Sequence, residues 1–303
     1  MSVQLVVDSG CDLPEHLFSQ LKLPILPHVI NVAGNKINDQ RNRAQMSHFY
    51  GMSMASTGKD VQTEAMSIEA IAKRIQVLLD AECKDIVIQT ISKDTSMVFE
   101  QTEKAITLIQ KKNSAKNANI HLVDSKTMFT GQGLLASYSL DLIKQGLTGL
   151  EVKKKAEQFS QSIYAYATIP NVAHLRERSG SKDRKGLTVL KSTLAKILGI
   201  NPIIQIHNSQ TGVLSSQRGY EAAIKNMLEL AVDAISHKKL LYPMVNISVG
   251  SKIEELPHRE YFSRLETIAK EHNVEVQYSM LSLSGGVNLG PDSITMALAL
   301  KAD

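Results

Sequence analysis

The stretch 86–109, IVIQTISKDTSMVFEQTEKAITLI, reads as strand, polar loop and helix in one continuous run. Ile86, Val87 and Ile88 form a short β-branched run of the kind buried in a parallel sheet, and Val98, Thr102, Ala105, Ile106 and Ile109 recur at helical spacing. The loop between them is Ser92-Lys93-Asp94-Thr95-Ser96. Such a loop lies outside the carboxyl end of its strand and opens a helix. Its hydroxyls and free backbone N–H groups therefore face the place where open α/β sheets hold ligands. The natural guest is an anion, a carboxylate or a phosphate. Many such loops only cap their helix, so the unit speaks to fold before it speaks to function.

The same unit recurs on either side. Residues 3–7 make a buried strand ending in Asp8-Ser9-Gly10-Cys11-Asp12-Leu13-Pro14, which feeds a short helix at 15–20. Residues 120–123 make another, ending in Asp124-Ser125-Lys126-Thr127, after which Gly131 and Gly133 open a helix carrying Leu134, Leu135 and Leu142. Three strands thus bring hydroxyl-rich turns to one kind of edge, where Asp8, Ser9 and Ser125 either touch a ligand or brace the loops. Between the first two units lies an extended segment, 23–32, with a turn at Ala33-Gly34-Asn35-Lys36, which suggests a hairpin or edge ribbon. Ser47 is placed to cap a brief helix through Tyr50. The polar run 61–67 leads into a helix whose face is Ile68, Ile71, Ala72, Ile75, Leu78 and Leu79, with Ser67 as N-cap.

Alternation of strand and helix to about residue 165 predicts a parallel sheet wrapped on both faces. Beyond it, strands are expected at 164–169, 202–206, 212–214, 245–249 and 274–278, and helices at 187–198, 219–237 and 257–272. Some are joined by tight turns and some by helices, which favours a mixed sheet. A charged segment, 175–186, interrupts this half. A glycine-rich loop, 282–292, is a second candidate for close approach to a ligand, and a last helix is expected to follow it. The fold class is therefore α/β with two domains: 1–165, an N-terminal parallel sheet wrapped by helices, and 166–303, a C-terminal α/β domain with a mixed sheet.

Composition narrows the function. A length of 303 residues allows two cores, and 43% hydrophobic with 21% charged residues is ordinary for a globular protein. The net charge of +4 is small and dispersed, aromatics are 5% and Trp is absent, which argues against a nucleic-acid partner. Cys11 and Cys83 read as reduced thiols of a cytoplasmic protein. The opening reads as a strand rather than a leader, and no apolar run reaches the ~18 residues that span a bilayer, so no stable membrane insertion is expected. His28, His121, His174, His207 and His258 lack metal-ligand spacing and read as structural or exposed. No metal site, cofactor or catalytic residue is expected, and nucleotide-hydrolase, serine-hydrolase and zinc-protease motifs are missing.

Four segments, in order, resemble the DegV family, bacterial proteins that bind a long-chain fatty acid. DSGCDLP (8–14) is similar to that family's Asp-Ser-x-x-Asp-Leu-Pro turn, and LPHVINVAGNKIND (26–39) to its ribbon. VDSKTMFTGQGLL (123–135) is similar to its Asp-Ser-Lys and glycine-helix segment, and LGINPII (198–204) to its later strand. The resemblance implies two domains with the acid between them, its carboxylate gripped by polar loops and presented to a separate kinase subunit. The family's Thr-Ser-Gln-Pro-Ser loop falls on Thr63-Glu64-Ala65-Met66-Ser67, and its Ser-Ser-x-x-Ser loop on 92–96, so Thr63 and Ser92 are the implied carboxylate ligands. The family's Gly-Thr-His-Thr-Gly-Pro loop falls on 286–291, with Gly286 in place and Asn288 where the family has histidine. Its Gly-Gly-Arg-Ile segment is not recognisable within 176–186.

Glu64 and Lys93 stand where the family tends to have serine, and are expected to face one another across a pocket mouth, or else to point into solvent. Two rivals remain open at this point: an enzyme or binder of a small carboxylate or phosphorylated metabolite anchored by Lys93, and a regulatory member that has lost its ligand.

Overall fold

The structure is a computed structural model that describes residues 3–55, 60–111, 118–174, 200–250 and 253–302. The charged segment 175–186 and the helix expected at 187–198 lie outside these residues. The first sheet is built from β1 (Gln4–Asp8), β2 (Ile25–Leu26), β6 (Asp85–Thr90) and β7 (Asn119–Asp124), all parallel, in the order β2-β1-β6-β7. Parallel strands share a carboxyl edge, so Asp8, the loop after β6 and Asp124-Ser125 do come to one edge.

Alternation sorts each strand between two layers. Val6, Ile86 and Ile88 pack on α3 (Ile68–Asp80) and α4 (Val98–Lys111), whereas Leu5, Val7, Val87 and Val123 face α5 (Thr130–Lys144) and α6 (Gly149–Ser160). Ser67 caps α3 as expected, its hydroxyl accepting from Ala70 N.

The second sheet is mixed. It contains β8 (Ile163–Thr168), β9 (Asn201–His207), β10 (Gln210–Gln217), β11 (Met244–Val249), β12 (Glu275–Met280) and β13 (Ile294–Ala299), in the order β10-β9-β8-β13-β11-β12. β11 and β12 are parallel; the other neighbours are antiparallel. One face, with Tyr166, Met296 and Leu298, is covered by α7 (Tyr220–Ser236) and α8 (Glu260–Glu271). The other presents Ala165, Ala167, Ala297 and Ala299 to α5. These methyl-sized side chains let α5 lie close against the sheet, and a Cβ at Gly133 would run into the Asp12 carbonyl and the Asn246 side chain. Helix α5 touches β1 and β6 on one side and β8, β11 and β13 on the other. It is therefore a middle layer common to both sheets, and a boundary drawn after residue 165 falls inside β8.

A third, antiparallel sheet is a ribbon of β3 (Val29–Val32), β4 (Asn35–Asn38) and β5 (Val61–Glu64), in the order β4-β3-β5. Its tight turn holds Ala33 at φ 48° and Gly34 at φ 88°, the two left-handed residues of a type I′ hairpin. Helix α2 (Arg43–Gly51) follows. It starts four residues before Ser47, capped by the Asn42 side chain, which accepts from Gln45 N at 3.1 Å.

The glycine-rich segment 282–292 is not a loop throughout. Residues Leu283–Leu289 form α9, capped by Ser282, and pack with α2 and the ribbon around Ile30, Phe49 and Val287. The glycines serve helix packing: the space beside Gly286 is taken by the Tyr50 ring, whose hydroxyl donates to Leu281 O at 2.8 Å. Nor is there a last helix after Asp292 among the described residues. The run ITMALA is the central strand β13, buried along its whole length between β8 and β11, so sheet burial overrides the helical preference of Met, Ala and Leu.

Candidate functional site

A cavity of about 340 Å³ lies beyond the carboxyl edge of the first sheet, within the range of ligand pockets. Its floor is the alanine-bearing face of the second sheet, through Ala167, Ile204 and Ile206, with Met128 and Phe129 from the turn before α5. Its sides are Ile91, Thr95, Ser96 and Met97 of the loop after β6. The ribbon contributes His28, Thr63, Glu64 and Ala65, and α9 contributes Ser284, Asn288 and Leu289. Apolar side chains dominate the floor and hydroxyls and amides the sides. Phe129, at φ 52°, holds a left-handed backbone rare for a bulky residue, and such strain gathers at ligand sites.

Thr63 and Asn288 are in the wall, as is Glu64. Thr63 pairs across the ribbon with Ile30. The Asn288 amide donates to Ser284 O at 2.7 Å, one turn back on α9. Glu64 does not reach Lys93. It is held by Lys36, Nζ to Oε2 at 2.7 Å, and by Asn31, and the Lys36 ammonium draws its carboxyl below the usual range. These residues face each other across the ribbon, whereas Lys93 is on another loop.

Ser92 and Lys93 are not in the wall. Ser92 is fully buried, with its Oγ 2.9 Å from Ser209 Oγ in the β9–β10 turn, and it ties the first sheet's loop to the second sheet. Thr95 and Ser96 take the positions facing the cavity. Lys93 is exposed, its N–H donating to Asp124 and its Nζ lying 6.0 Å from the Phe99 ring centre. Gly286 backs Tyr50 rather than the cavity. Ser125 donates to Thr127 O at 3.1 Å and braces its own turn.

Asp8 and Ser9 act one step behind the wall, on a residue that the sequence left among the structural histidines. His28 is 5% exposed and lines the cavity. Its Nε2 is 3.6 Å from Asp8 Oδ1, and its N–H donates to Ser9 Oγ at 2.9 Å. Asp8 is itself fixed by Gly10 N at 2.8 Å and Ile91 N at 2.5 Å. The available signal was a polar residue inside the apolar run Leu26-Pro27-His28-Val29-Ile30. Three buried polar atoms of the wall, His28 Nε2, Gln101 Oε1 and Thr211 Oγ1, have no hydrogen-bond partner among the described residues. Each such atom costs about 1–3 kcal/mol unless a guest or water satisfies it.

Away from the cavity, Asp12 accepts from Arg41 Nη1 at 3.1 Å, Ser248 Oγ at 2.6 Å and Ser282 N at 3.0 Å. Burial pushes its carboxyl up to about 6 despite Arg41. Cys11 and Cys83 are free thiols, and burial pushes the Cys11 thiol up. Among the described residues no cluster of three or more His, Cys, Asp or Glu could hold a metal ion, and no helix is long and apolar enough to cross a membrane.

Fold and site together define an α/β protein of two main sheets and a smaller ribbon, with an apolar, hydroxyl-sided cavity beyond the strand ends. The chain belongs to the DegV family: the family model described as "Uncharacterised protein, DegV family" matches residues 2–301. A DegV domain-containing protein of Xanthomonas campestris is 24% identical over 309 residues, covering 99% of this chain and 98% of the relative. Among solved structures, a stearic acid-binding protein from Eubacterium ventriosum superposes with a TM-score of 0.83 at 18% identity, covering 99% of this chain and 98% of that one. DegV, a fatty acid binding protein from Bacillus subtilis, superposes with a TM-score of 0.78 at 17% identity, covering 99% of this chain and 100% of that one. At these identities the likeness is one of fold.

Proposed function

We propose that this protein binds a long-chain fatty acid in the cavity beyond the first sheet and offers its carboxylate to a partner such as a fatty acid kinase, without being an enzyme itself. The observation that carries the reading is the division of the wall: an apolar floor of Ala167, Ile204, Ile206, Met128 and Phe129 against sides bearing Thr63, Thr95, Ser96 and Asn288. Burying about a dozen methylenes at ~0.8 kcal/mol each yields on the order of 10 kcal/mol before the cost of association. A bare carboxylate loses several kcal/mol on leaving water, so hydroxyl, amide and N–H groups must replace its hydration. The family and the solved relatives named for fatty acids support the same reading.

A small polar metabolite anchored by Lys93 fits less well, because Lys93 lies outside the wall and the floor is apolar. The test is organic extraction of the purified protein followed by mass spectrometry, with re-addition of fatty acid to the stripped protein. A copurified acyl chain and saturable rebinding are expected. Repeated recovery of protein that carries none and ignores added oleate would overturn the reading.

A further inference from the structure

We infer that His28 is the basic side chain that meets the acid head in this cavity, held in place by Asp8 and Ser9. The inference rests on the fatty-acid reading and adds to it a residue outside those that the family resemblance implies. Its first ground is charge. Among the described residues of the wall there is no lysine or arginine, and Glu64, the other ionisable group, is an acid already engaged by Lys36. A carboxylate held only by neutral hydroxyls keeps its full charge in a poorly solvated site, and His28 is the side chain there able to offset it.

The second ground is the state of the ring. His28 is nearly buried, yet no hydrogen bond within the protein reaches either ring nitrogen among the described residues, and Nε2 is a buried orphan. Two other histidines of the described residues bond to carbonyls, His174 Nε2 at 2.9 Å from Val287 O and His207 Nδ1 at 3.0 Å from Ile163 O, whereas His121, which is outside the cavity, shares with His28 a carboxylate beside Nε2, Asp85 Oδ1 at 3.3 Å. Nε2 of His28 lies 3.6 Å from the fixed Asp8 carboxylate, beyond hydrogen-bond reach, so the ring keeps hydrogen-bonding capacity for a guest.

The third ground is register. Val29 pairs with Glu64 and Ile30 with Thr63, so His28, one residue before β3, sits diagonally from Thr63 on one face of the ribbon, within roughly 7–8 Å. One head group can touch both. Two acids lie by His28: Asp8 from β1, and Asp39 just past β4, whose N–H bonds to the His28 carbonyl; Glu64 from β5 pairs with Val29 instead.

Head-group discrimination tests the assignment. Oleate and oleyl alcohol share a chain and differ in the charge that His28 would meet. Wild-type protein should prefer oleate to oleyl alcohol about ten-fold or more, and in His28→Leu and His28→Gln that ratio should fall toward one. In parallel, the His28 ring signals of the wild type, followed by NMR, should shift with oleate and not with oleyl alcohol, which decides the matter even if the variants fold poorly. Variants that bind oleate like wild type, or ring signals that ignore the head group, would overturn the role of His28 while leaving the channel reading intact. A wild type that binds neither chain would overturn both.

Discussion

Polar groups are buried in two places in this molecule, and they are used in opposite ways. Around Asp12 the carboxylate is satisfied from within the chain: Arg41, from the segment after β4, reaches Asp12 and the Met280 carbonyl, Ser248 and Ser282 complete the carboxylate, and Asn246 donates to the Asp12 carbonyl at 2.8 Å, with only Arg41 Nε and Asn246 Oδ1 of these side chains left without a partner among the described residues. Around the cavity they face inward and His28, Gln101 and Thr211 keep orphaned atoms. The first arrangement joins the ribbon and both sheets. The second leaves hydrogen-bonding capacity for a guest or water to use. Burial alone therefore says little about whether a polar residue supports or recognises; what matters is whether its partners are already in the chain.

The sharpest way to break the contrast is to remove one partner on each side. Arg41→Ala leaves Asp12 and Asp39 as uncompensated buried acids and should cost about 3–5 kcal/mol in urea denaturation. A cost under about 1 kcal/mol would show that the network is not a support.

A smaller effect comes from acidity. Burial raises the Asp12 carboxyl to about 6 in the fold, so the folded chain binds this proton more tightly than the unfolded chain. Its contribution is fully present below about pH 4, the unfolded value, and is lost as pH rises through about 6. Melting curves of wild type and Asp12→Asn should therefore show the wild type losing ground relative to the variant across that window, and a gap that ignores pH would refute the shift.

On the other side, Thr63→Val should change stability by less than about 1 kcal/mol and weaken oleate binding about ten-fold, since a hydrogen bond to a charged group is lost. Equal damage to stability would move Thr63 from recognition to support.

Local pattern carried much of the fold. The β-branched run 86–88 with its helical sequel, the hydroxyl-rich turns at Asp8, Ser92 and Asp124, the Ser67 cap and the Ala33-Gly34 turn all depend on neighbours within a few residues, and all are visible in the chain. What escaped depends on distant contacts. ITMALA has no polar alternation because both faces of β13 are covered, so it cannot be told from a helix by periodicity. Ser92 and Thr95 are equally polar, and only the β9–β10 turn, more than a hundred residues on, decides which of them turns away from the cavity. Likewise His28 acquires its meaning from Asp8, across a strand and a helix, and Glu64 finds Lys36 rather than Lys93 because the ribbon folds back on itself.

The helix shared by both sheets has a mechanical consequence. Prising the layers apart would strip α5 from the two strands on one side or the three on the other, which opposes opening like a book to admit a long tail. Room has to be made locally, by side chains swinging at the rim where Met97 already meets solvent. Amide exchange should then find the 91–97 segment loosening on its own, while α5 exchanges only when the whole chain unravels.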